Sequence, residues 1–428
     1  MRDLGPVSLS DIDLSDLAFW ARPIAERDEA FRVLRRQRPV AFFEERQTFL
    51  NSAINVPKGR GYYAVTRHPD VVWVSKHPDI YSSAQGIFVQ DFPPVFLEFI
   101  GSMINMDDPR HARLRRIVSA AFSPRVMGDL EEAMHVEVDR LIDAVVDRGE
   151  CEFVADIAAP LPLAIICRMM GIPDEERQFV FDRANVLIGG GDPEYIAEGV
   201  DAGVAVLTAA QELAELTERT AASRRQDPRP DVTTALINAN VDGEALTQAE
   251  LSSFFILLVV AGSETTRHAI THGLLALTER PQAAAAWRAD FDRLSRTAVE
   301  EIIRWASPAM AMRRTVTEPT TLGDQRLEPG DKVVMYYNSA NRDEEVFADP
   351  FEFDLARDPN PHLGFGGPGP HFCLGAHLAR REIAVTFRHL LARLPDIRAV
   401  GQPEQLRSGT VNGVKRLRAE FTPGGEPR

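Results

Sequence analysis

Residues 341–370 are rich in Pro, Gly, Asn and Asp and carry neither a helical nor a strand period. They run into Phe365-Gly-Gly-Pro-Gly-Pro-His-Phe-Cys373-Leu-Gly375, and an amphipathic helix over about 375–394 follows at once. A patternless stretch of about thirty residues inside a compact chain is uncommon and usually functional. It restricts the chain to folds that can hold a long irregular segment against a core built elsewhere, and it directs attention to Cys373. Glycines at 366, 367, 369 and 375 let the backbone take positive φ and approach a ligand closely. A cysteine just before a helix meets unpaired N–H groups and the positive end of the helix dipole, and both favour the thiolate. Three chemistries fit these residues: a small cysteine packed in a glycine loop, a nucleophile activated by His371, or a single thiolate ligand to haem. A structural zinc site would need about four ligands, which the loop lacks.

The rest of the chain reads as mainly helical with small sheets. Residues 61–66 and the runs 315–327 and 332–337 are expected as strands, with Pro329-Gly330 as a turn. Residues 69–75 open a helical stretch, and 85–101 reads as an aromatic loop carrying Phe88, Phe92, Phe96 and Phe99. Apolar spacing of three and four predicts helices across 111–148, 175–220 and 247–277. Thr247-Gln-Ala-Glu250 has the form of a capping box. Residues 224–230 form a polar connection. With no repeat and no flexible linker, a single domain over 1–428 is expected. Its β-rich N-terminal portion covers about 30–85, its helical portion about 100–310, and its Cys loop and final helix about 340–395.

Composition narrows the function. The 428 residues carry 48 Lys and Arg against 63 Asp and Glu, a formal net charge of −15. That balance disfavours nucleic acid, whose phosphates reward clustered cations. Three cysteines, Cys151, Cys167 and Cys373, are too few for a disulfide framework and suit a reducing cytoplasm. The longest unbroken apolar stretch, 254–261, is far below the roughly 18 residues of a membrane span, so no transmembrane anchor is expected.

Further polar groups stand out. The helix over 251–277 contains Ala261-Gly262-Ser-Glu264-Thr265-Thr266. A glycine in a helix interior costs about 1 kcal/mol relative to alanine and so demands a reason. The hydroxyls either bond back to helix carbonyls four residues earlier or, with the acid, relay protons. Glu301 and Arg304, at i and i+3, read alone as a surface ion pair. His111 and Arg115 read alone as a solvated helix face. Arg313-Arg314 is surface charge or a bidentate anchor for an anion.

Together these motifs resemble the cytochrome P-450 family of haem-thiolate monooxygenases, over nearly the whole chain and in the family's order. The resemblance implies a triangular prism with haem b held between a long central helix and the Cys-ligand loop. Cys373 is then the metal ligand, with Phe365, Gly366 and Gly369 shaping its loop and Gly375 beside the cofactor, although the Phe-to-Cys spacing is one residue longer than usual for the family. Ala261 and Gly262 face the haem, while Glu264 and Thr265 match the acid–alcohol pair that handles protons and bound O2. Glu301 and Arg304, completed by Arg357, match the brace of the proximal loop. His111, Arg115, Arg314 and His371 match the positions that hold the haem propionates, which offsets the cost of burying two carboxylates.

The stretches 254–262, 305–308 and 359–366, together with the longer loop, resemble an actinobacterial branch, the methyl-branched lipid omega-hydroxylases. The resemblance implies long apolar substrates such as isoprenoid lipids and sterol side chains. Phe88, Phe92, Phe96, Phe99, Leu187, Leu257 and Met312 are expected as the pocket walls. It also implies separate ferredoxin and ferredoxin reductase partners, with Arg113, Arg116, Arg380 and Arg381 as a landing patch or, equally, a solvated face.

Overall fold

The computed structural model describes residues 7–47, 56–121, 124–188, 193–196, 199–239 and 245–424. It is mainly helical. The elements that position the site are α1 (Ile24–Gln37), α2 (His68–Lys76), α3 (Pro94–Gly101), α4 (Arg110–Ala121), α5 (Pro124–Asp143), α6 (Pro160–Met170), α7 (Arg177–Ile188), α8 (Ala202–Gln226), α9 (Gln248–Thr278), α10 (Phe291–Ala306) and α11 (Ala376–Arg393).

One sheet of five strands holds the β-rich part: β1 (Val40–Phe43), β2 (Tyr62–Val65), β3 (Tyr81–Ser82), β4 (Ala311–Val316) and β5 (Lys332–Tyr336), in the order β1-β2-β5-β4-β3. Only the β2–β5 pair is parallel, with Tyr63 opposite Val333. Chain-distant segments thus meet in one sheet, and β4 and β5 feed the long irregular stretch that follows.

Helix α9 runs through the main apolar core and packs against α3, α6, α8, α10 and α11. Its start is as expected: Glu250 donates its N–H to the Thr247 hydroxyl at 3.1 Å, and Thr247 returns its own N–H to the Glu250 carboxylate at 3.0 Å. Among the described residues α9 is the one helix long and apolar enough to cross a membrane, with a mean hydropathy of 1.2 over its best window. The sequence reading missed this because Glu264 and Arg267 interrupt the run, yet the helix exceeds the span length. More than half of that window is covered by the fold.

Two expectations need correction. Residues 94–101 form α3 instead of staying in an aromatic loop. Pro94 sits in the first turn, where a missing N–H costs nothing, and the density of apolar residues hides the helical period. The polar connection expected at 224–230 starts later, since α8 continues to Gln226 and Arg224 is buried against the Asp231 carboxylate. The helical expectation over 175–220 holds for α7 and α8, while 189–192 and 197–198 lie outside the described residues.

Candidate active site

The irregular stretch folds back on itself just before α11. Cys373 donates its N–H to the Phe365 carbonyl at 3.0 Å, closing the loop between them. Gly366 turns it with φ of 83°, a conformation that side chains resist. Gly369 has φ of 155°, and a Cβ there would lie 2.3 Å from the Ser75 carbonyl oxygen, so the loop presses directly on α2. Gly375, by contrast, has an ordinary φ of −82° and open space before it.

Cys373 sits deep in the fold, and its exposed surface is in a cavity of about 230 Å3 that it lines. Burial raises its thiol pKa, against the Gly375 N–H and the charges of Arg115 and Arg380. The dipole argument alone pointed the other way, and desolvation outweighs it. A bound metal cation reverses the balance, because coordination deprotonates a thiol.

Opposite the loop, α9 contributes Ala261, Gly262, Thr265 and Thr266 to the cavity wall. The demand for a glycine at 262 comes from α6: a Cβ there would lie 2.6 Å from Ile166 Cδ1. Thr265 donates its hydroxyl to the Ala261 carbonyl at 2.7 Å, which is the back-bonding expected of a helical threonine. The oxygen keeps lone pairs free to accept. Glu264 does not line the cavity. One residue and so about 100° around the helix from Thr265, it is buried against Arg267 and His268. Burial alone would raise its pKa, but Arg267 and His268 outweigh that and lower it.

At one end of the cavity four basic side chains converge. His111 and His371 stack with ring centres 4.2 Å apart. Arg115 donates to the Phe372 carbonyl at 2.6 Å, and buried Arg314 donates to the Arg313 carbonyl at 2.8 Å. His371 is driven down to about 2, by burial first and then by Arg314, His111 and Arg115. Neither arginine has a carboxylate within salt-bridge distance among the described residues, and the one acid lining the cavity is Glu382. Buried cations without counter-charges are costly, so this end fits two carboxylates from a bound group. A thiol on one wall and the apolar face of α9 on the other complete a site that fits haem. His371 points at Ser83, with Nε2 3.1 Å from its hydroxyl, and no hydrogen bond joins it to Cys373 among the described residues, so the cysteine–histidine nucleophile has no geometric support.

The strand period separates the arginine pair. Arg314 faces the cavity, while Arg313 on the other side of β4 binds Asp91 at 2.6 Å and the Phe88 and Val89 carbonyls.

Behind the loop, Glu301 and Arg304 are fully buried and joined by two hydrogen bonds of 2.7 Å. They are therefore no surface pair. Arg304 also donates to the carbonyls of Asn341, Pro350 and Glu352, and Glu301 accepts from Arg357, Asn360 and the Asp354 N–H. Sequence reasoning missed the neighbouring anchor, Glu300. It accepts from Arg380 of α11 at 2.5 Å and meets His362 Nε2 at 2.8 Å. Burial pushes Glu300 up, but His362 and Arg380 outweigh this and bring it to about 2.

Of the seven expected pocket residues, Leu257 and Met312 line the cavity. Phe88, Phe92 and Phe96 instead form an aromatic run of their own, while Phe99 and Leu187 pack against the main core. The walls come from Met103, Ile104, Ile166, Met169, Phe254 and Leu258. Phe254, Leu257, Leu258 and Ala261 share one face of α9 at i, i+3, i+4 and i+7, a period that marks a helix face but not a cavity. Glu382 was also missed, although it falls on the apolar side of α11 beside Leu378 and Ala379. Of the four arginines expected as a landing patch, three are in ion pairs: Arg113 with Glu250, Arg380 with Glu300 and Arg381 with Glu131.

Comparison with known proteins gives this geometry a context. The chain is 47% identical over 417 residues to the methyl-branched lipid omega-hydroxylase of Mycobacterium tuberculosis, covering 96% of this chain and 95% of that protein. Residues 203–395 match the cytochrome P-450 family itself. The chain belongs to the cytochrome P-450 family. It is also 38% identical to the steroid C26-monooxygenase of Mycolicibacterium smegmatis over 384 residues, 87% of this chain and 88% of that one. A solved Mycobacterium marinum cytochrome P-450 in complex with pseudoionone superposes with a TM-score of 0.90 at 40% identity, covering 98% of this chain and all of the other. The protein is therefore a haem-thiolate monooxygenase that uses haem b and O2. In this P-450 the nucleophile alternative is set aside.

Proposed function

We propose that this P-450 hydroxylates the terminal methyl of a methyl-branched, isoprenoid or sterol side chain, with the whole chain acting as one catalytic domain. The balanced reaction takes the C–H substrate, O2, two electrons and two protons to the alcohol and water. The observation that carries the reading is the division of the cavity into a basic end and apolar walls around a single thiol. The relatives named for branched-lipid omega and steroid C26 oxidation share that preference for apolar chain ends.

Haem b, bound through Cys373, supplies the iron that activates O2. The chain's own residues do the rest. Gly375 gives its N–H to the sulfur, and Arg115, Arg314, His111 and His371 take the two carboxylates. Phe254, Leu257, Leu258, Ile166, Met169 and Met312 exclude water and present the end of an apolar chain. Terminal C–H bonds are the harder ones to break, so regioselectivity rests on this positioning. Thr265, its hydroxyl proton committed to Ala261, accepts a hydrogen bond at oxygen. Glu264 handles protons behind it. Glu301, Arg304 and Arg357 hold the loop without touching the chemistry.

A ferredoxin and its reductase deliver the electrons, in the cytoplasm.

The test uses the holoprotein with a panel of branched and straight lipids, scored by the spin-state shift on binding and by product analysis. Terminal alcohols from branched chains are expected. Thr265→Ala should lower product formed per electron consumed by about tenfold, less than the roughly 10²–10⁴-fold of a group that transfers the proton itself, because Thr265 only accepts a hydrogen bond. Absence of a shift with every branched chain removes the substrate assignment, and unchanged coupling in Thr265→Ala removes the proton role.

A further inference from the structure

Glu264 lies on the far side of α9 from the cavity, and what holds it there is legible. Arg267 and His268, at i+3 and i+4, share its face and both reach Oε2. The Val414 N–H points at His268 Nδ1 at 3.2 Å. A backbone amide is always a donor, so in a neutral ring Nδ1 is the bare nitrogen and Nε2 carries the proton; Arg267 Nη2, also a donor, stands 3.5 Å from Nε2, farther than Val414 is from Nδ1. That proton faces Glu264 Oε2, at an N···O distance of 3.4 Å. The approach of the C-terminal segment depends on Gly413, where a Cβ would fall 3.2 Å from Nε2 and 2.8 Å from Leu406 Cβ. His268 is fully buried, and its burial and the adjacent Arg267 charge lower its pKa and keep it neutral.

We propose that His268 is a positioning residue that holds the Glu264 carboxylate, by its Nε2–H, in an outward resting position from which the acid must swing to serve the cavity. The proposal rests on the reading of Glu264 as the acid of proton delivery. A buried ion pair is stable only when its remaining lone pairs are also satisfied. The Arg267 contribution is incomplete here: its Nε has no partner among the described residues, and its Nη1 reaches Asn185 only at 3.4 Å. His268 supplies the additional donor.

The charged and titratable groups around the carboxylate are few. Arg267, His268 and His272 come from α9, Glu194 and Tyr195 from the short turn at Pro193–Tyr195, and Lys415 from the C-terminal segment. A void of about 10 Å3 lies among Asn185, Tyr195, Glu264, Arg267, His268 and Lys415. That is close to the room one water molecule needs, and it gives the outward carboxylate a place to take up a proton. Lys415 is itself bound to Glu194 at 2.8 Å, so it does not compete for Glu264.

Three variants of the holoprotein test this. His268→Phe keeps the ring and loses both nitrogens. His268→Asn keeps an acceptor for Val414 but falls short of Glu264. His268→Gln restores a donor at Glu264. Loss of a hydrogen bond to the charged form raises a carboxyl pKa, so in Phe and Asn the acidic limb of the kcat profile should move up by roughly one pH unit. The solvent deuterium isotope effect on kcat should change as well, with substrate affinity by spin shift within about twofold of the parent, and Gln should recover both. Nitrogen NMR of the parent should show Nδ1 unprotonated and Nε2 protonated from pH 6 to 8. A doubly protonated ring or the opposite tautomer overturns the proposal, as does an unmoved limb and isotope effect in Asn, which still folds against Val414. Glu264→Gln separates the two layers. If it alters coupling and isotope effect while the His268 variants do not, only the positioning role fails. If it alters neither, the proton reading of Glu264 fails first.

Discussion

Replacing Glu301 by alanine would leave Arg304 buried, with none of its side chain in water and its carboxylate gone. Arg357 would lose the same partner, and Asn360 and the Asp354 N–H would lose an acceptor. Removing one member of a buried pair costs about 3–5 kcal/mol, because the remaining charge stays desolvated. Folded proteins are stable by roughly 5–15 kcal/mol, so the loss is a large fraction of the whole. The damage has a location, since Arg304 and Arg357 between them bind the carbonyls of Asn341, Ala348, Asp349, Pro350 and Glu352. Those residues lead into the loop that carries Cys373. Purified Glu301→Ala should therefore show less haem per protein and a reduced carbon monoxide complex shifted partly away from the red-shifted thiolate band. Its denaturant midpoint should also fall. The control is Glu212→Ala, which breaks the half-exposed pair with Arg183; exposed pairs are worth about 0–1 kcal/mol. If Glu301→Ala fell within about 1 kcal/mol of that control and kept its full thiolate band, the brace would not be what holds the loop.

Glu382 and Gly262 offer two more checks. Burial raises Glu382 to about 8 against its hydrogen bond with Thr266. A carboxyl pKa raised by folding contributes stability that is full below the ordinary 4.5 and is lost as pH rises toward 8, at about 1.4 kcal/mol per unit. The parent should thus gain thermal stability relative to Glu382→Gln as pH falls from 8 to 5, and parallel melting curves across that range would refute the neutral-acid assignment. In Gly262→Ala the new methyl meets the flexible end of Ile166, and the helix gains about 1 kcal/mol of propensity. Stability should hold while the displaced Ile166 narrows the cavity and weakens the spin-state response to apolar ligands several-fold; an unchanged response would mean that Ile166 yields outward.

What could be read from the chain depended on how local each signal is. Thr247 and Glu250 announce the start of α9 because a capping box spans only three peptide units. The irregular stretch before Cys373 and the amphipathic period after it are equally local. Glu301 and Arg304 looked like a surface pair because helix spacing says nothing about what packs over it, and only the family resemblance pointed inward. The direction of Glu264 was hidden for a similar reason: being next to Thr265 in sequence places it about 100° away around the helix, and its partner Val414 enters by way of His268 from the far end of the chain. The aromatic residues at 88–99 were expected at the pocket from composition alone. In the structure Phe88 is exposed and Phe92, Phe96 and Phe99 are half-buried, because rings can pack on one another as well as around a cavity.

Glu300 and Glu301 are neighbours on α10, and each grips a different side of the thiol-bearing segment. One reaches Arg380 beyond it, whose guanidinium covers the Phe365 ring at 4.4 Å, and the other reaches Arg357 ahead of it. Both attachment points lie outside the span from Phe365 to Cys373. The place of the sulfur is therefore set by two helices and not by the span alone, so it would survive a change of loop length that leaves both attachments intact.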